Sequence, residues 1–305
     1  MKDVRSPAVD MAHMPLAAVR RSSSALRDYV ALTKPRLNFL VVVSSAAGYY
    51  LGAPLGPSLL PMIEAVAGTA LVAGGAAVLN QVYERDTDAL MLRTRARPLP
   101  AGRVTATDAQ IFGMLFAVAG TALLASAANL LAAALAVTTV AVYLGAYTPM
   151  KRRSSAATFV GAIPGALPPL IGWTAARGSL AGAGLALFAI VFLWQIPHFM
   201  AIAWLYRDDY GRAGLPMLPV IEPDGRRTGA HAAGFAAALL PVSVTPALLG
   251  VSGPAYFACA LLLGVGLLWL AARFRSDRSE STARALFFGS ISYLPLLWAA
   301  MMLDH

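Results

Sequence analysis

The stretch that decides the fold class is residues 62–103, which read MIEAVAGTALVAGGAAVLNQVYERDTDALMLRTRARPLPAGR. Its first half, up to Leu79, carries one charged residue, Glu64, and an apolar run of about 20 residues is typical of a membrane-spanning helix. The second half changes character, because acids at 84–88 are followed by arginines at 93–97. The stretch therefore predicts a helix that leaves the membrane and continues into a charged segment at its surface.

The rest of the chain repeats such apolar runs. Of its 305 residues, 58% are hydrophobic and 13% are charged, whereas a soluble domain carries about 25% charged residues. This composition excludes a water-soluble globular enzyme. We predict an all-α membrane protein with nine transmembrane helices, at approximately 37–56, 62–83, 107–126, 128–146, 156–175, 180–205, 229–249, 254–272 and 283–302.

The positive charges predict the orientation. The net charge is +9, and all but one of the 24 Lys and Arg residues lie before the first span or after spans two, four, six and eight; the exception is Arg177. Because Lys and Arg are retained on the cytoplasmic side, the N-terminus is predicted to be cytoplasmic and the C-terminus outside. The charge is thus a topology signal, and no nucleic-acid partner is expected.

The same pattern predicts the domain organisation and the location. Residues 1–32 are polar and mixed in charge, which indicates a disordered cytoplasmic tail, and 33–305 form one intramembrane domain. The acids Asp3, Asp10 and Asp28 argue against an organelle leader. We therefore expect a multi-pass protein of the bacterial plasma (inner) membrane with its active face on the cytoplasmic side and the lipid bilayer as its surroundings.

Three polar residues recur every four positions where the second span ends: Asn80, Glu84 and Asp88. On a continuous helix they share one face, about 6 Å apart. A column of oxygen ligands at a membrane surface suits Mg²⁺, which takes one or two carboxylates and completes its shell with water and phosphate oxygens. These three residues are the first candidate metal ligands.

Basic residues surround this column in the sequence. Guanidinium groups bind phosphate oxygens in pairs, so the acids and their basic neighbours together predict a Mg²⁺-bound phosphorylated substrate. The candidates are Lys34 and Arg36 at the entry to the first span, Arg93 and Arg97 in the arginine-rich loop, and Lys151 and Arg152 after Tyr147. The alternative is that these residues only anchor the topology and that the acids are their ion-pair partners.

A second polar cluster ends the sixth span. His198 lies about two turns before Asp208 and Asp209, which are again followed by arginine and proline. Two facing acid clusters could hold two cations on one diphosphate, and an ionisable residue inside a span tends to face a cavity. The alternatives are a solvated loop for the two acids and a hydrogen-bonded structural role for His198.

In these two polar clusters and their order along the chain, the protein resembles the UbiA-type intramembrane prenyltransferases, and within them the members that farnesylate heme. Several stretches carry the resemblance together: residues 32–36, 80–88, 91–94, 97–99, 147–152, 161–173, 197–199, 208–210, 213–219 and 290–294. The resemblance implies nine helices around a central cavity that opens to the cytoplasmic face and laterally to lipid.

The resemblance also implies a reaction. Farnesyl diphosphate would transfer its C15 chain to a vinyl group of heme b, with addition of water, giving heme O for a downstream heme A synthase. Asn80, Glu84 and Asp88 match the first Mg²⁺–diphosphate motif, with Glu84 where many relatives have Asp. In the second motif Leu205 stands where relatives have an acid, which leaves Asp208 and Asp209 as its acids and Asp209 as its metal ligand. His198 is hypothesised to serve the heme as a ligand or proton acceptor.

Three other functions remain open from the sequence. Within the same fold, the acceptor could be another aromatic or ring compound. A transporter or channel for an anion would carry charges near the bilayer midplane on broken helices, whereas nearly all charges here lie at helix ends. A membrane-embedded binding or assembly factor would keep its function without the carboxylates of Glu84 and Asp88.

Overall fold

A computed structural model describes residues 25–53 and 56–305. Over these residues the regular structure is entirely helical. In chain order the helices are α1 (Ala25–Leu32), α2 (Pro35–Gly52), α3 (Leu59–Leu90), α4 (Ala106–Ala127), α5 (Leu130–Ala141), a π-helical segment (Val142–Tyr147), α6 (Thr148–Met150), α7 (Ala157–Arg177), α8 (Gly182–Leu205), α9 (Arg207–Arg212), α10 (Leu218–Ile221), α11 (Arg226–Ser243), α12 (Thr245–Leu248), α13 (Pro254–Ser276) and α14 (Glu280–Leu303).

Eight of the nine predicted spans coincide with helices long and apolar enough to cross a membrane. These are Leu59–Leu90, Ala106–Ala127, Leu130–Met150, Ala157–Arg177, Gly182–Leu205, Arg226–Leu248, Pro254–Ser276 and Glu280–Leu303. The helical multi-pass architecture is therefore confirmed.

The first predicted span, 37–56, differs from the others. It corresponds to α2, which ends at Gly52 after 18 residues and is not among the eight apolar helices in the described part of the chain. Its sequence explains the difference, because α2 begins with Pro35 and Arg36 and carries buried Ser44 and Ser45. The count of nine spans stays a prediction.

Close helix packing fixes the position of α3. Where α3 crosses α4, a Cβ on Gly75 would lie 2.5 Å from the carbonyl oxygen of Gly113, and one on Gly120 would lie 2.6 Å from that of Gly68. Without a hydrophobic driving force between helices in lipid, such small residues allow the backbones to approach and gain van der Waals contact. On the other side of the bundle, α7 packs against α2, α5 and α8.

The loops gather at two ends with different chemistry. At the end we call the charged end, Lys151 pairs with Glu84 and Arg103 pairs with Asp28. At the opposite end, contacts involve backbone carbonyls: Arg177 Nε donates to Gly52 over 2.9 Å, and Asn129 Nδ2 donates to Thr174 over 2.7 Å. The exceptional Arg177 thus lies away from the other basic clusters.

The predicted tail includes a folded piece. Residues 25–32 form α1, with Asp28 and Leu32 buried. Arg103 Nε lies 3.1 and 3.2 Å from the two carboxylate oxygens of Asp28, and Gln81 Nε2 donates to the Leu32 carbonyl over 2.6 Å. These eight residues differ from the expected disordered tail because they pack on α3 and its following loop. Residues 1–24 of that tail lie outside the described residues.

Candidate active site

The site is built at the charged end of α3. This helix has 32 residues and is therefore about 48 Å long, well beyond an apolar core of about 30 Å, so its last turns can leave the membrane without ending. Asn80, Glu84 and Asp88 follow one another along these turns, and all three are buried. They share one face, as the spacing of four residues predicts, and their burial shows that this face is turned toward protein.

Each member of this column faces a basic side chain from a different part of the chain. Lys34 Nζ lies 3.4 Å from Asn80 Oδ1. Lys151 Nζ lies 3.0 Å from Glu84 Oε1.

The third pair joins the end of the column to the arginine-rich loop. Arg97 Nη1 lies 2.7 Å from Asp88 Oδ2. Three segments that are far apart in sequence therefore converge on one face of α3 and surround its carboxylates with positive charge.

The two lysines differ in their electrostatic surroundings. Burial and the guanidinium of Arg97 lower the pKa of Lys34 to about 8. Burial alone would lower the pKa of Lys151, but electrostatic interaction with Tyr147 and with the Glu84 carboxylate raises it above its ordinary value. Lys34 also has a left-handed backbone, with φ of 50°, which is uncommon for a residue with a side chain and turns the chain from α1 into α2.

Asp88 supplies the observation that bears on a metal ion. Its side chain is 1% exposed, Oδ2 binds Arg97, and Oδ1 is buried with no hydrogen-bond partner among the described residues. A buried carboxylate oxygen without a partner is costly, and a hard cation would satisfy it. The described residues contain no group of three or more His, Cys, Asp or Glu around one point. The ligands of a cation here would therefore be a carboxylate, the Asn80 amide oxygen, water and phosphate oxygens.

The second acidic motif is arranged differently. Asp209 is buried, and its carboxylate accepts from the backbone N–H groups of Leu92 and Arg93 at 3.2 and 3.4 Å and from Arg212. Burial opposes ionisation, but Arg212 and the two N–H groups lower the pKa of Asp209. Asp208 is exposed. Asp209 therefore ties α9 to the loop after α3, and the structure separates the two neighbouring acids.

The remaining predicted anion-binding residues fall into two groups. Arg93 lies over the Tyr206 ring, 4.8 Å from its centroid, and 3.4 Å from the Tyr210 hydroxyl, next to the Asp209 contact. Arg36 is exposed, and Arg152 donates to the Tyr83 carbonyl over 3.3 Å on the outer side of α3. The sequence analysis assigned these three arginines to one anion-binding site, but in the structure only Arg93 lies beside an acidic residue of the site.

A π-helical segment brings Tyr147 to the site. Its ring stacks on Tyr143 with centroids 5.4 Å apart, and it lies so close to α7 that a Cβ on Gly161 would be 2.6 Å from the ring. Single π turns are frequent at functional sites. Sequence reasoning missed Tyr143 and also Thr148, which accepts from Asn80; the signal was their positions eight and three residues before Lys151.

His198 belongs to α8, and its side chain packs against α14. Its ring stacks between Trp194 and Phe287, with centroids 5.3 and 5.2 Å away, and Nδ1 is 2.9 Å from Ser290 Oγ. The Ser290 hydroxyl donates its proton to the Phe287 carbonyl over 2.7 Å. With the Ser290 proton on that carbonyl, the matching tautomer has its proton on Nδ1, donates to Ser290 and leaves Nε2 as the nitrogen with a lone pair.

Fold and site together define a class: helical membrane proteins that collect buried carboxylates and basic side chains at one end of the bundle. A family model described as the UbiA prenyltransferase family matches residues 41–292. The chain belongs to the UbiA prenyltransferase family, and the resemblance predicted from its motifs is confirmed.

Curated relatives cover almost the whole chain. It is 47% identical over 289 residues to a protoheme IX farnesyltransferase of Solibacter usitatus, covering 92% of this chain and 99% of the relative. It is 46% identical over 304 residues to a protoheme IX farnesyltransferase of Koribacter versatilis, covering 95% and 97%.

Solved structures share the fold. A structure described as digeranylgeranylglyceryl phosphate synthase has a TM-score of 0.77 at 16% identity, covering 92% of this chain and 98% of that chain. A UbiA homologue from Archaeoglobus fulgidus bound to GPP and Mg²⁺ has a TM-score of 0.63 at 16% identity, covering 90% and 99%.

Proposed function

We propose that this chain transfers the farnesyl group of farnesyl diphosphate to a vinyl group of heme b, with addition of water, giving heme O and diphosphate. The observation that carries the proposal is its near full-length similarity, at 46–47% identity, to proteins named protoheme IX farnesyltransferase. The buried acids and their basic partners at the charged end support the diphosphate half of the reaction. Heme O would then be the substrate of a downstream heme A synthase.

The proposed placement in the membrane follows the positive charges. Nine spans, with α2 as the first, put the N-terminus in the cytoplasm and the C-terminus outside, in a bacterial inner membrane. Residues 33–305 form the catalytic domain, and the charged end faces the cytoplasm. This orientation gives the site access to water-soluble Mg²⁺ and lets the apolar farnesyl chain stay in the bilayer.

Mg²⁺ is the proposed cofactor, and the residues present fit it. Asn80, Glu84 and Asp88 would hold it, and the unpartnered Oδ1 of Asp88 supports this assignment. When bound, the ion would supply positive charge to the leaving diphosphate. A Mg²⁺-bound homologue with the same fold supports the use of a divalent ion. Asp209 remains a candidate second ligand, although its oxygens already accept three hydrogen bonds.

The basic residues would bind and orient the diphosphate. Arg97 and Lys151 lie 2.7 and 3.0 Å from the Asp88 and Glu84 carboxylates, and Lys34 lies 3.4 Å from the Asn80 amide oxygen. An arriving diphosphate can therefore replace these oxygens as the partner of the three cations. Arg93 and the Tyr147 hydroxyl complete the proposed set. As the carbon–oxygen bond breaks, its electron pair goes to the diphosphate, and these cations stabilise the negative charge.

The acceptor half needs an apolar cavity and an electron-rich double bond. The vinyl π electrons of heme b would form the new carbon–carbon bond to the farnesyl cation, and water would then add to the resulting cation and lose a proton. Protein walls that exclude bulk water would protect the farnesyl cation. His198 is the proposed residue on the heme side, as a ligand or proton acceptor, because its Nε2 carries the lone pair.

The test is direct conversion by the purified protein. In detergent with heme b, farnesyl diphosphate and MgCl₂, we expect heme O by mass spectrometry and one diphosphate released per product. Omission of Mg²⁺ is the control. Absence of heme O, with farnesylation of an aromatic acid instead, overturns the proposal in favour of another ring acceptor. Transport of farnesyl diphosphate with its carbon–oxygen bond intact indicates a carrier. Cellular function retained in a Glu84→Gln, Asp88→Asn double variant, with no heme O formed by the purified protein, indicates a binding or assembly factor.

A further inference from the structure

Thr148 connects the acid column to the π-helical segment. Its side chain is buried and has two polar partners. Thr148 Oγ1 donates to the carbonyl of Tyr143 over 2.7 Å, and Asn80 Nδ2 lies 3.1 Å from the same Oγ1. A threonine hydroxyl has only one proton to donate. Because Tyr143 takes that proton, Thr148 can only accept from Asn80.

The other side of the Asn80 amide faces the opposite requirement. Lys34 Nζ lies 3.4 Å from Asn80 Oδ1, and a protonated lysine amine donates but does not accept. The atom facing Lys34 must therefore be the amide oxygen, and the atom facing Thr148 must be the amide nitrogen. Two neighbours of opposite hydrogen-bonding character thus fix one orientation of the amide, which is otherwise free to flip.

The π-helical segment decides which carbonyl takes the Thr148 proton. In a regular helix a threonine hydroxyl bonds the carbonyl four residues back, as Thr139 bonds Leu135 over 2.9 Å. At Thr148 the hydroxyl and the backbone N–H both reach Tyr143, five residues back. The wider turn therefore changes which carbonyl takes the hydroxyl proton, and Oγ1 is left as an acceptor at the position that faces Asn80.

We propose that Thr148 is a positioning residue: it holds the Asn80 amide with Oδ1 turned toward Lys34 and the cation–diphosphate site, and with Nδ2 turned away. Only the amide oxygen can ligate a hard cation. The inference rests on the diphosphate half of the proposed function and is independent of the acceptor. In this role Thr148 acts through Asn80 and would itself touch neither the cation nor the diphosphate.

The experiment measures binding without turnover. Mn²⁺ affinity in the presence of inorganic diphosphate is followed by electron paramagnetic resonance on the purified full chain. Thr148→Val keeps the side-chain shape but removes the acceptor, and we expect the Mn²⁺ dissociation constant to rise about 10-fold or more, as for other residues that orient metal ligands. Thr148→Ser restores the hydroxyl and is expected within about 3-fold of wild type. Thr139→Val, on the same membrane span, is the matched control and should bind like wild type.

A double-variant cycle separates positioning from general damage. In an Asn80→Ala background the amide is gone, so Thr148→Val should add less than about 2-fold, because contacting residues are not additive. An equal loss in both backgrounds, or unchanged affinity in Thr148→Val alone, overturns the proposal. Absence of Mn²⁺ binding by the wild type overturns the proposed cation site together with this inference, whereas failure to farnesylate heme leaves it standing.

Discussion

The two acidic motifs occupy similar places in the sequence, each at the end of a span and followed by arginine and proline, yet they are held by different kinds of partner. In the column Asn80, Glu84 and Asp88, each residue faces a lysine or arginine side chain, and one oxygen of Asp88 has no partner among the described residues. Asp209 instead accepts from two backbone N–H groups and from Arg212, three residues further along its own chain segment.

This difference indicates that the first motif can bind a ligand, whereas Asp209 supports the loop after α3. Side-chain cations can move to an incoming diphosphate, and a free carboxylate oxygen can take a metal ion. Backbone N–H groups cannot leave without unfolding the loop after α3. We therefore expect the first motif to act on the substrate and Asp209 to hold the arginine-rich loop in place.

Asp88 offers the strongest test of whether the first motif acts on the substrate. Asp88→Asn removes the charge at the proposed cation site, and we expect kcat/KM for farnesyl diphosphate to fall about 10²- to 10³-fold, the usual cost of losing one charge-stabilising group. Product formation by mass spectrometry measures it. Asp86→Asn, two residues away and 82% exposed, is the matched control and should stay within about 2-fold. Equal losses in both variants contradict a specific role for the column.

A second prediction concerns the buried ion pair. Lys151→Met leaves the Glu84 carboxylate buried without its cation, which costs about 3 kcal/mol or more of stability. Adding Glu84→Gln removes that charge and should recover most of the thermal stability in detergent without recovering activity. Recovery of both would show that the pair is only structural.

A third prediction tests Asp209 against Asp208. Asp209→Asn weakens a charge-assisted set of hydrogen bonds worth about 1.5–3 kcal/mol, so we expect a lower melting temperature and about a 10-fold loss of activity. Asp208→Asn, at the exposed neighbour, should change neither. If Asp209→Asn instead matches Asp88→Asn in activity and in its demand for Mg²⁺, Asp209 is a metal ligand and the contrast between the motifs fails.

The pH dependence of this stabilisation has a defined sign. Because the pKa of Asp209 is lowered in the folded protein, its contribution is complete above the unfolded value of about 3.9 and is lost as the pH falls through the folded value. The difference in melting temperature between wild type and Asp209→Asn should therefore be constant from neutral pH to about pH 5 and shrink below about pH 4. A difference that grows on acidification contradicts this assignment.

The smallest effects are expected at Arg36 and Arg152. Both belong to the basic clusters of the sequence, but Arg36 is exposed and Arg152 binds the Tyr83 carbonyl outside the site. Arg36→Gln and Arg152→Gln should change the KM for farnesyl diphosphate less than about 3-fold, whereas Arg97→Gln should raise it about 10-fold or more. A large effect at Arg36 would mean that its side chain reaches the diphosphate only in the bound state.

Sequence reasoning worked best where the pattern is local. Long apolar runs located eight spans, seven of them to within four residues at each end, because a helix in lipid must satisfy its own backbone hydrogen bonds. The spacing of four residues placed Asn80, Glu84 and Asp88 on one face because side chains four positions apart lie above one another on a helix. It worked less well for α1, whose short polar sequence gives no sign of the buried contact between Asp28 and Arg103.

The sequence by itself determined that the chain is a helical membrane protein with acids and basic residues at one set of helix ends, since length, hydropathy and charge act locally along the chain. Only the tertiary structure decided which basic residue faces which acid, that Asp209 binds a loop while Asp208 faces solvent, and that Thr148 orients Asn80. Apart from Arg97 with Asp88, which are nine residues apart, those pairings join segments 46 to 117 residues apart. Helix packing, which no local pattern encodes, sets the distances between them.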